Sequence, residues 1–486
     1  QGGVGAVAPT LAWLPELSPS MWAAVLILVV LAAGLPGLWT LAGVAAMVLG
    51  GLVLLRPEVA IYLLALVVPF GSLAEVDAGS FSITPTEPLV ALLLVGWALR
   101  AFSRGRWPLP FTPLSIPLAA MLAAVAFSGY QAVSPALTLK EGLKWLELAL
   151  VYLFVIAEMG NRRHALALVG MLMLGAALEG AIGAVQFVFS VGPDSFSIGR
   201  FMRAYGTFEQ PNPYAGYLGM LLPLALGILL TRPASGLRKY LLATGLLALL
   251  GVAMSLSRGA WMGIGLALGL MAVLWSSRSR LVLGSIVLGA TPVAVLLFLN
   301  LLPAEVTARL VTILDYFRFI DVRQETITPE NFAVLERVAH WQAALDMIGS
   351  NPLFGVGAGN YPAAYEDFMV GGWVEPLGHA HNFYLNVAAE MGIPALLVYL
   401  LFVLVAIGYS AKWLVRSNRD TTQILWRGIL LGILGSLVAS SVHNMFDSLF
   451  VHSMNVQLGI ILALGQIAAT ALAREERGQS TLETAP

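Results

Sequence analysis

Apolar runs long enough to cross a lipid bilayer recur along almost the whole chain. A ~30 Å hydrocarbon layer needs roughly 18 or more mostly apolar residues in helix. Such stretches begin near Met21, Leu38, Val59, Glu87, Thr112, Trp145, Ala165, Pro213, Leu241, Gly259, Leu281, Phe383, Ile424 and Phe450. They are unbroken rather than alternating, which argues against a transmembrane barrel and leaves helices. Apolar residues make up 58% of the 486 and charged ones 11%, against about 25% charged in a soluble domain. The expected fold is an all-α polytopic membrane protein with about fourteen transmembrane helices, and at the fewest about twelve.

Basic residues set the expected orientation, because lysine and arginine favour cytoplasmic loops. Arg56, the Arg100–Arg106 cluster, Arg162, Arg163, Arg232, Arg238 and Lys239 fall in every second connection. Arg278, Arg280, Lys412, Arg416, Arg419, Arg427, Arg474 and Arg477 continue the series, so that 17 of the 26 basic residues share one side with both termini. That side is read as cytoplasmic. Lys140, Lys144, Arg200, Arg203, Arg258, Arg309, Arg318, Arg323 and Arg337 stand against the bias, so each needs a reason to be there.

The organisation follows from these runs. Residues 1–20 read as a loose leader rich in Gly, Ala and Pro, 21–133 as scaffold spans, and 134–302 as spans carrying an interfacial helix and arginine loops. Residues 303–382 form one large periplasmic loop, 383–473 three further spans, and 474–486 a polar cytoplasmic tail without defined structure. Cysteine is absent, so neither disulfides nor thiolate metal sites contribute. The first run has no basic residue before it, which argues against a cleaved signal peptide. Nucleic acid is not an expected partner.

Polar clusters at the ends of spans must be shielded, hydrated or functional. The most informative is Leu377-Gly-His-Ala-His-Asn-Phe383, with His379 and His381 directly ahead of a long apolar run. In Ser134–Trp145, Ser134 and Pro135 suit a helix start, and Lys140 and Lys144 lie one turn apart, as in a cationic helix at the interface. Gly199–Pro213 carries Arg200 and Arg203 in a Gly- and Pro-punctuated turn whose free amides near the next helix suit an anion. Arg258 follows in a very short turn, and Arg337 belongs to an amphipathic helix. The glycines of Phe354-Gly-Val-Gly-Ala-Gly-Asn360 lack the preceding strand and following Lys-Ser/Thr of a nucleotide loop and read as a tight turn. His443 and Asp447, one helical turn apart, suit a structural hydrogen bond or a proton relay.

Arginines from separate connections beside a histidine suit a lipid-linked diphosphate, since guanidinium stays charged and grips phosphate oxygens in pairs. A sugar on diphosphate already has a good leaving group. What remains is removing the acceptor hydroxyl's proton, a task for an imidazole near neutrality, while the arginines stabilise charge on the departing diphosphate. No metal or other cofactor is required. The competing readings are a metal site through His379 and His381, completed by His443, His452 or carboxylates, and histidines that only hydrogen-bond the loop.

Five ordered segments bear a resemblance: Arg203-x-x-Gly206-Thr-Phe-x-x-Pro-Asn212-x-x-Ala215, Ser257-Arg258-Gly-Ala, Glu336-Arg337-x-x-x-Trp341, Pro352-Leu-Phe-Gly-Val-Gly, and His381-Asn-x-x-Leu385-x-x-x-x-Glu390-x-Gly392. Together they resemble the O-antigen ligase family, which includes O-antigen polymerases and protein O-oligosaccharyltransferases. The first spans carry no matching motif. The resemblance implies a GT-C-like, inverting, metal-independent glycosyltransferase of the bacterial inner membrane whose active site faces the periplasm. Its donor would be an undecaprenyl diphosphate-linked glycan, and its acceptor a lipid A core sugar (ligase) or another lipid-linked glycan (polymerase). By motif position His381 is the catalytic histidine and Arg203 and Arg258 bind diphosphate, with Arg337, Lys140, Arg200, His379 and Asn212 as further substrate-binding candidates. A flippase or transporter of lipid-linked glycan is the non-enzymatic alternative, but it would place polar groups near mid-span and often show repeats.

Overall fold

The computed structural model describes residues 38–275 apart from 79–80 and 108, isolated positions at 303, 305 and 307, residues 321–417 apart from 324 and 329–330, and residues 423–483. The expected runs near Met21 and Leu281, the 1–20 leader, and Arg278, Arg280, Arg309, Arg318 and Arg419 lie outside these residues.

Twelve of the fourteen expected runs coincide with helices. They are α1 (Leu38–Leu55), α2 (Glu58–Val67, extended as 3-10 helix to Ala74), α3 (Thr86–Arg104), α4 (Ser115–Ser128), α5 (Pro135–Glu158) and α6 (Arg162–Phe189). Then follow α7 (Pro211–Leu230), α8 (Ser235–Ser255) and α9 (Arg258–Trp275). Beyond the extramembrane helices α10 (Phe332–Ser350) and α11 (Tyr361–Phe368) come α12 (Phe383–Arg416), α13 (Ile424–His443) and α14 (Met454–Glu483). Eight described helices are long and apolar enough to cross a membrane, and two shorter apolar helices, Glu58–Ala74 and Ser115–Gln131, accompany them. The protein is an all-α polytopic membrane protein.

Two expectations change in detail. The interfacial helix around Lys140 and the span after it form one continuous helix, α5, because nothing between Lys144 and Trp145 interrupts the strong helix formers there. The polar tail begins as helix too: α14 runs on to Glu483 through an Ala-, Arg- and Glu-rich stretch of high helix propensity.

Close helix packing rests on small residues, as expected where lipid supplies no hydrophobic drive between helices. α13 is buried nearly all round. A Cβ on Gly227 of α7 would collide with the Gly428 carbonyl of α13, and one on Gly432 would lie 2.6 Å from Leu224 Cα. Gly263 of α9 meets Ala439 of α13 as tightly. At one end of the bundle Arg100 pairs with Glu58 and, at 3.1 Å, with Glu158, tying α2, α3 and α5 together. The opposite end gathers the starts of α5, α7, α9, α12 and α14 with the ends of α8 and α13. It holds every motif described above.

Candidate functional site

Residues buried in α6 fix the arginine loop. Gln186 Oε1 accepts the amides of Tyr205 and Gly206 at 3.0 and 2.7 Å, and its Nε2 donates to the Gly206 carbonyl at 2.7 Å. Glu179 accepts from the Thr207 amide at 3.1 Å and its hydroxyl at 2.6 Å. Gly206 sits at φ +56°, where a side chain would strike the Glu179 carboxylate. Thus two polar groups from a span, which must find partners in a dry interior, hold the turn that delivers Arg203 and then Asn212.

The glycine turn is held by a carboxylate. Glu390 accepts the amides of Gly359 and Tyr361 at 2.9 and 3.0 Å, while the amides of Val356 and Gly357 donate to the carbonyls of Ala389 and Glu390 at 3.0 and 2.8 Å. At Gly392 (φ 81°, ψ 169°) α12 breaks direction, and a Cβ there would run into the Leu353 carbonyl. These amides already serve a protein anion, which agrees with reading the stretch as a turn. The turn in its place presents Tyr361, whose hydroxyl donates to the His340 carbonyl at 3.1 Å and lies 3.0 Å from His340 Nδ1.

The histidine segment is locked from both sides. Asn386 accepts the Ala380 amide at 3.0 Å, Asn382 caps α12 by accepting from Tyr384 and Leu385, and the Phe383 amide donates to the Asn444 carbonyl at 2.8 Å. His381 takes a left-handed backbone, φ +50°, an uncommon conformation for a side chain larger than Asn or Asp. Its carbonyl accepts from Trp341 Nε1 at 3.4 Å.

These loops converge on Asp447. His381 Nδ1 lies 3.4 Å and His379 Nε2 3.6 Å from Asp447 Oδ1, and Asn212 Nδ2 donates to Asp447 Oδ2 at 2.6 Å. Asn212 Oδ1 in turn accepts from Arg203 Nη2 at 2.9 Å, whose Nε donates to the Ser255 carbonyl at 2.8 Å. A continuous polar path therefore runs Arg203, Asn212, Asp447, His381. Since Asp447 only accepts when ionised, the His381 tautomer with its proton on Nδ1 is the one that fits. Both ring nitrogens are buried and neither makes a hydrogen bond among the described residues; with the proton on Nδ1, facing Asp447, Nε2 is the lone-pair acceptor.

Two hollows flank this centre. One is lined by Arg203, Asn212, Arg258, Arg337 and His443 among others; Arg258 is buried there, and a Cβ at Gly259 would come within 2.7 Å of His443 Cδ2. The other, roomier one is lined by His379, Lys140, Lys144, Glu141, Asn386 and Glu390 among others. The three arginines and Asn212 thus gather on one side and Lys140 and His379 on the other. Arg200 lines neither hollow: it is exposed, its guanidinium 4.9 Å from the Phe201 ring.

Electrostatics favour a charged carboxylate among neutral imidazoles. Burial would raise the Asp447 carboxyl, but the close approach and charge of His381, then His379 and Arg337, hold it well below the usual carboxylate range. Burial pushes His379 down to about 4, with the neighbouring His381 adding to the shift and Asp447 opposing it. His340 falls to about 3, again mainly through burial.

Residues 243–400 match a family model described as O-antigen ligase. Over that segment the chain is similar to the O-antigen ligase family. No curated protein matches the chain. The matched stretch holds Arg258, Arg337, His379, His381 and Glu390. Arg203, Asn212 and Asp447 lie outside it, and geometry alone joins them to the centre.

Asp447 was read from the sequence as a partner of His443, not of the histidine segment it meets. Its spacing from His443 suggested a partner on the same helix, but α13 ends at His443, and the following turn carries Asp447 to His379 and His381. The same turn raises the metal reading again, because the ligand atoms of His379, His381 and Asp447 lie within 4.8 Å of one another. The hydrogen bonds argue against it. His379 Nδ1 accepts the His381 main-chain N–H at 3.1 Å, so its proton belongs on Nε2, the atom facing Asp447. Ligation through Nε2 would leave that ring without any proton, whereas metal-bound histidines ordinarily donate through the other nitrogen.

Proposed function

We propose that this chain is an inverting glycosyltransferase of the O-antigen ligase family that moves a glycan from undecaprenyl diphosphate to an acceptor hydroxyl at the periplasmic face of the bacterial inner membrane. Arg203, Arg258 and Arg337 hold the diphosphate, where fixed guanidinium groups stabilise the charge that grows as the sugar–phosphate bond breaks. His381 Nε2 takes the proton of the acceptor hydroxyl while its oxygen bonds to the anomeric carbon, and the diphosphate leaves with the bonding pair. Asp447 orients the imidazole and stabilises its protonated form, the role of a carboxylate behind a catalytic histidine elsewhere. The role of His379 is to accept the His381 amide and hold that backbone.

The observation that carries this reading is the path Arg203, Asn212, Asp447, His381, which couples the arginine hollow to the imidazole through bonds of 2.9 and 2.6 Å and a 3.4 Å approach. The test is His381→Ala in purified protein supplied with a lipid-linked donor. Transfer at the wild-type rate would show that the base or the reaction class is wrong. Ligation to a lipid A core follows the family's description.

A further inference from the structure

The hollow on the Lys140 side measures about 180 Å³. A single water needs about 10–15 Å³ of such space, so a sugar ring with its hydroxyls fits. Lys144 Nζ and Glu141 pair across 2.7 Å, and the Glu390 oxygens are taken by the Gly359 and Tyr361 amides. Two neutral groups at the histidine end are not taken. Asn386 and Ser448 line the hollow and are only 7% and 4% exposed. Asn386 Oδ1 accepts the Ala380 amide at 3.0 Å, which fixes the orientation of the side chain and leaves Nδ2 as a donor. That NH₂ makes no hydrogen bond among the described residues, and neither does the Ser448 hydroxyl. Buried groups of this kind call for a partner, and both border the hollow, where a ligand supplies one.

Both groups are built into the backbone that carries the base. Ala380, held by Asn386, separates His379 from His381, whose rings lie 4.6 Å apart. The Ser448 amide donates to Asp447 Oδ1 at 2.8 Å, the oxygen that faces both imidazoles. A hydroxyl bound by either side chain therefore stands at a fixed offset from the imidazole that takes the proton. We propose that Asn386 and Ser448 are specificity-determining residues of the transfer: they bind the ring hydroxyls flanking the reacting one and so decide which acceptor hydroxyl is glycosylated. Asn386 Nδ2 donates to one flanking oxygen, and the Ser448 hydroxyl, able to donate or accept, takes the other. A ring turned to offer a different hydroxyl to His381 leaves one or both groups unpaired, and a site built to bond a hydroxyl rejects a ligand that cannot return the bond far more strongly than an apolar pocket does. The arginines line the opposite hollow, so the diphosphate and these two groups reach the imidazoles from different sides. This assignment rests on the glycosyl transfer proposed above.

The test uses the full chain in lipid nanodiscs with an undecaprenyl diphosphate-linked glycan as donor. The acceptors are a lipid A core, the same lipid-linked glycan, and monodeoxy forms of whichever is glycosylated; a matching monodeoxy series is made in the donor sugar, and the linkage formed is read by NMR. Ser448→Ala removes the hydroxyl and keeps the amide bond to Asp447. Asn386→Asp keeps an oxygen for Ala380 and exchanges the donor for an acceptor, so each variant serves if the other does not fold. Wild type should form a single linkage, and loss of a flanking hydroxyl from the acceptor should lower kcat/KM about tenfold, the scale of one hydrogen bond. In the variant lacking the matching side-chain group the same deoxy acceptor should cost nothing further, and the product should contain mixed linkages. Variants that slow every acceptor alike while keeping one linkage would make both residues structural, overturning the proposal and leaving the transfer intact. Discrimination that follows the donor series instead of the acceptor series would overturn it in the same way. Absence of transfer by the wild type to either acceptor would overturn both readings.

Discussion

Asn212 and Asp447, 235 positions apart in sequence, are joined by a 2.6 Å hydrogen bond from the amide of one to the carboxylate of the other. Asn212 stands at the start of α7, directly behind Pro211, and Asp447 in the turn after α13. The bond ties the arginine loop to the histidine segment, and it uses the Asp447 oxygen that does not face the imidazoles. The remaining oxygen, Oδ1, accepts the Ser448 amide at 2.8 Å and receives both histidines. The position of His381 relative to Arg203 is thus set by side chains that neither take nor give up a proton themselves.

Asp447→Asn tests that arrangement with almost no change of volume. If the new amide oxygen keeps the bond from Asn212, its NH₂ turns toward His381 and forces Nδ1 to accept. The proton then sits on Nε2, where the acceptor hydroxyl needs a lone pair. We expect turnover to fall by about 10²–10⁴, the usual contribution of a positioned acid–base group. Turnover within a few-fold of wild type would remove Asp447 from the mechanism.

Dialysis against a chelator should leave transfer unchanged. The 3.1 Å bond from the His381 amide to His379 Nδ1 assigns the His379 proton to Nε2, and a protonated nitrogen does not ligate a metal. Loss of activity on chelation, restored by a divalent cation, would show that the His379 ring binds the other way round.

Glu390 is expected to be structural. Its two bonds to buried amides, of a kind worth about 1.5–3 kcal/mol each, hold the glycine turn and through Tyr361 brace His340. Glu390→Ala should destabilise the protein by about 3 kcal/mol or more and open residues 351–361 to proteases, and Glu390→Gln should recover part of the loss. Cleavage no faster than in wild type would mean that the main-chain bonds at Val356 and Gly357 suffice.

The spans, and the arginines read as standing against the charge bias, leave one-dimensional traces: an apolar run, or a cation out of the expected alternation. Arg203, Arg258 and Arg337 do line one hollow. The trace fails where partners are distant along the chain. Asp447 had a closer candidate in His443, and only the end of α13 decides between them. Asn212 stands among the substrate-binding candidates, yet nothing near it in sequence points to Asp447 as its partner. Glu179 and Gln186, polar residues within an apolar run, were not singled out, although the cost of leaving such groups unpaired inside a membrane was a usable signal. Lys140 shares its sign with the arginines, but the direction of α5 puts it in the other hollow, a fact of packing that composition does not carry.

Acid should destabilise the protein through its buried histidines. His379, at about 4, and His340, at about 3, titrate below the ~6.5 of an unfolded chain. Between pH ~6.5 and their folded values the unfolded state therefore binds more protons than the folded one, and stability rises with pH. Their favourable contribution is complete above pH ~6.5 and is lost as pH falls, at up to ~1.4 kcal/mol per pH unit for each group. Asp447 is shifted in the same direction, downward, but its window lies lower: its stabilising charge is present above the usual carboxylate range and is lost only below it, so it does not act here. Melting temperature followed from pH 7.5 to 5 should fall progressively, and His340→Phe, which keeps a ring against Tyr365, should flatten the slope. A wild-type slope unchanged in that variant would mean that His340 already shares a proton in the folded state.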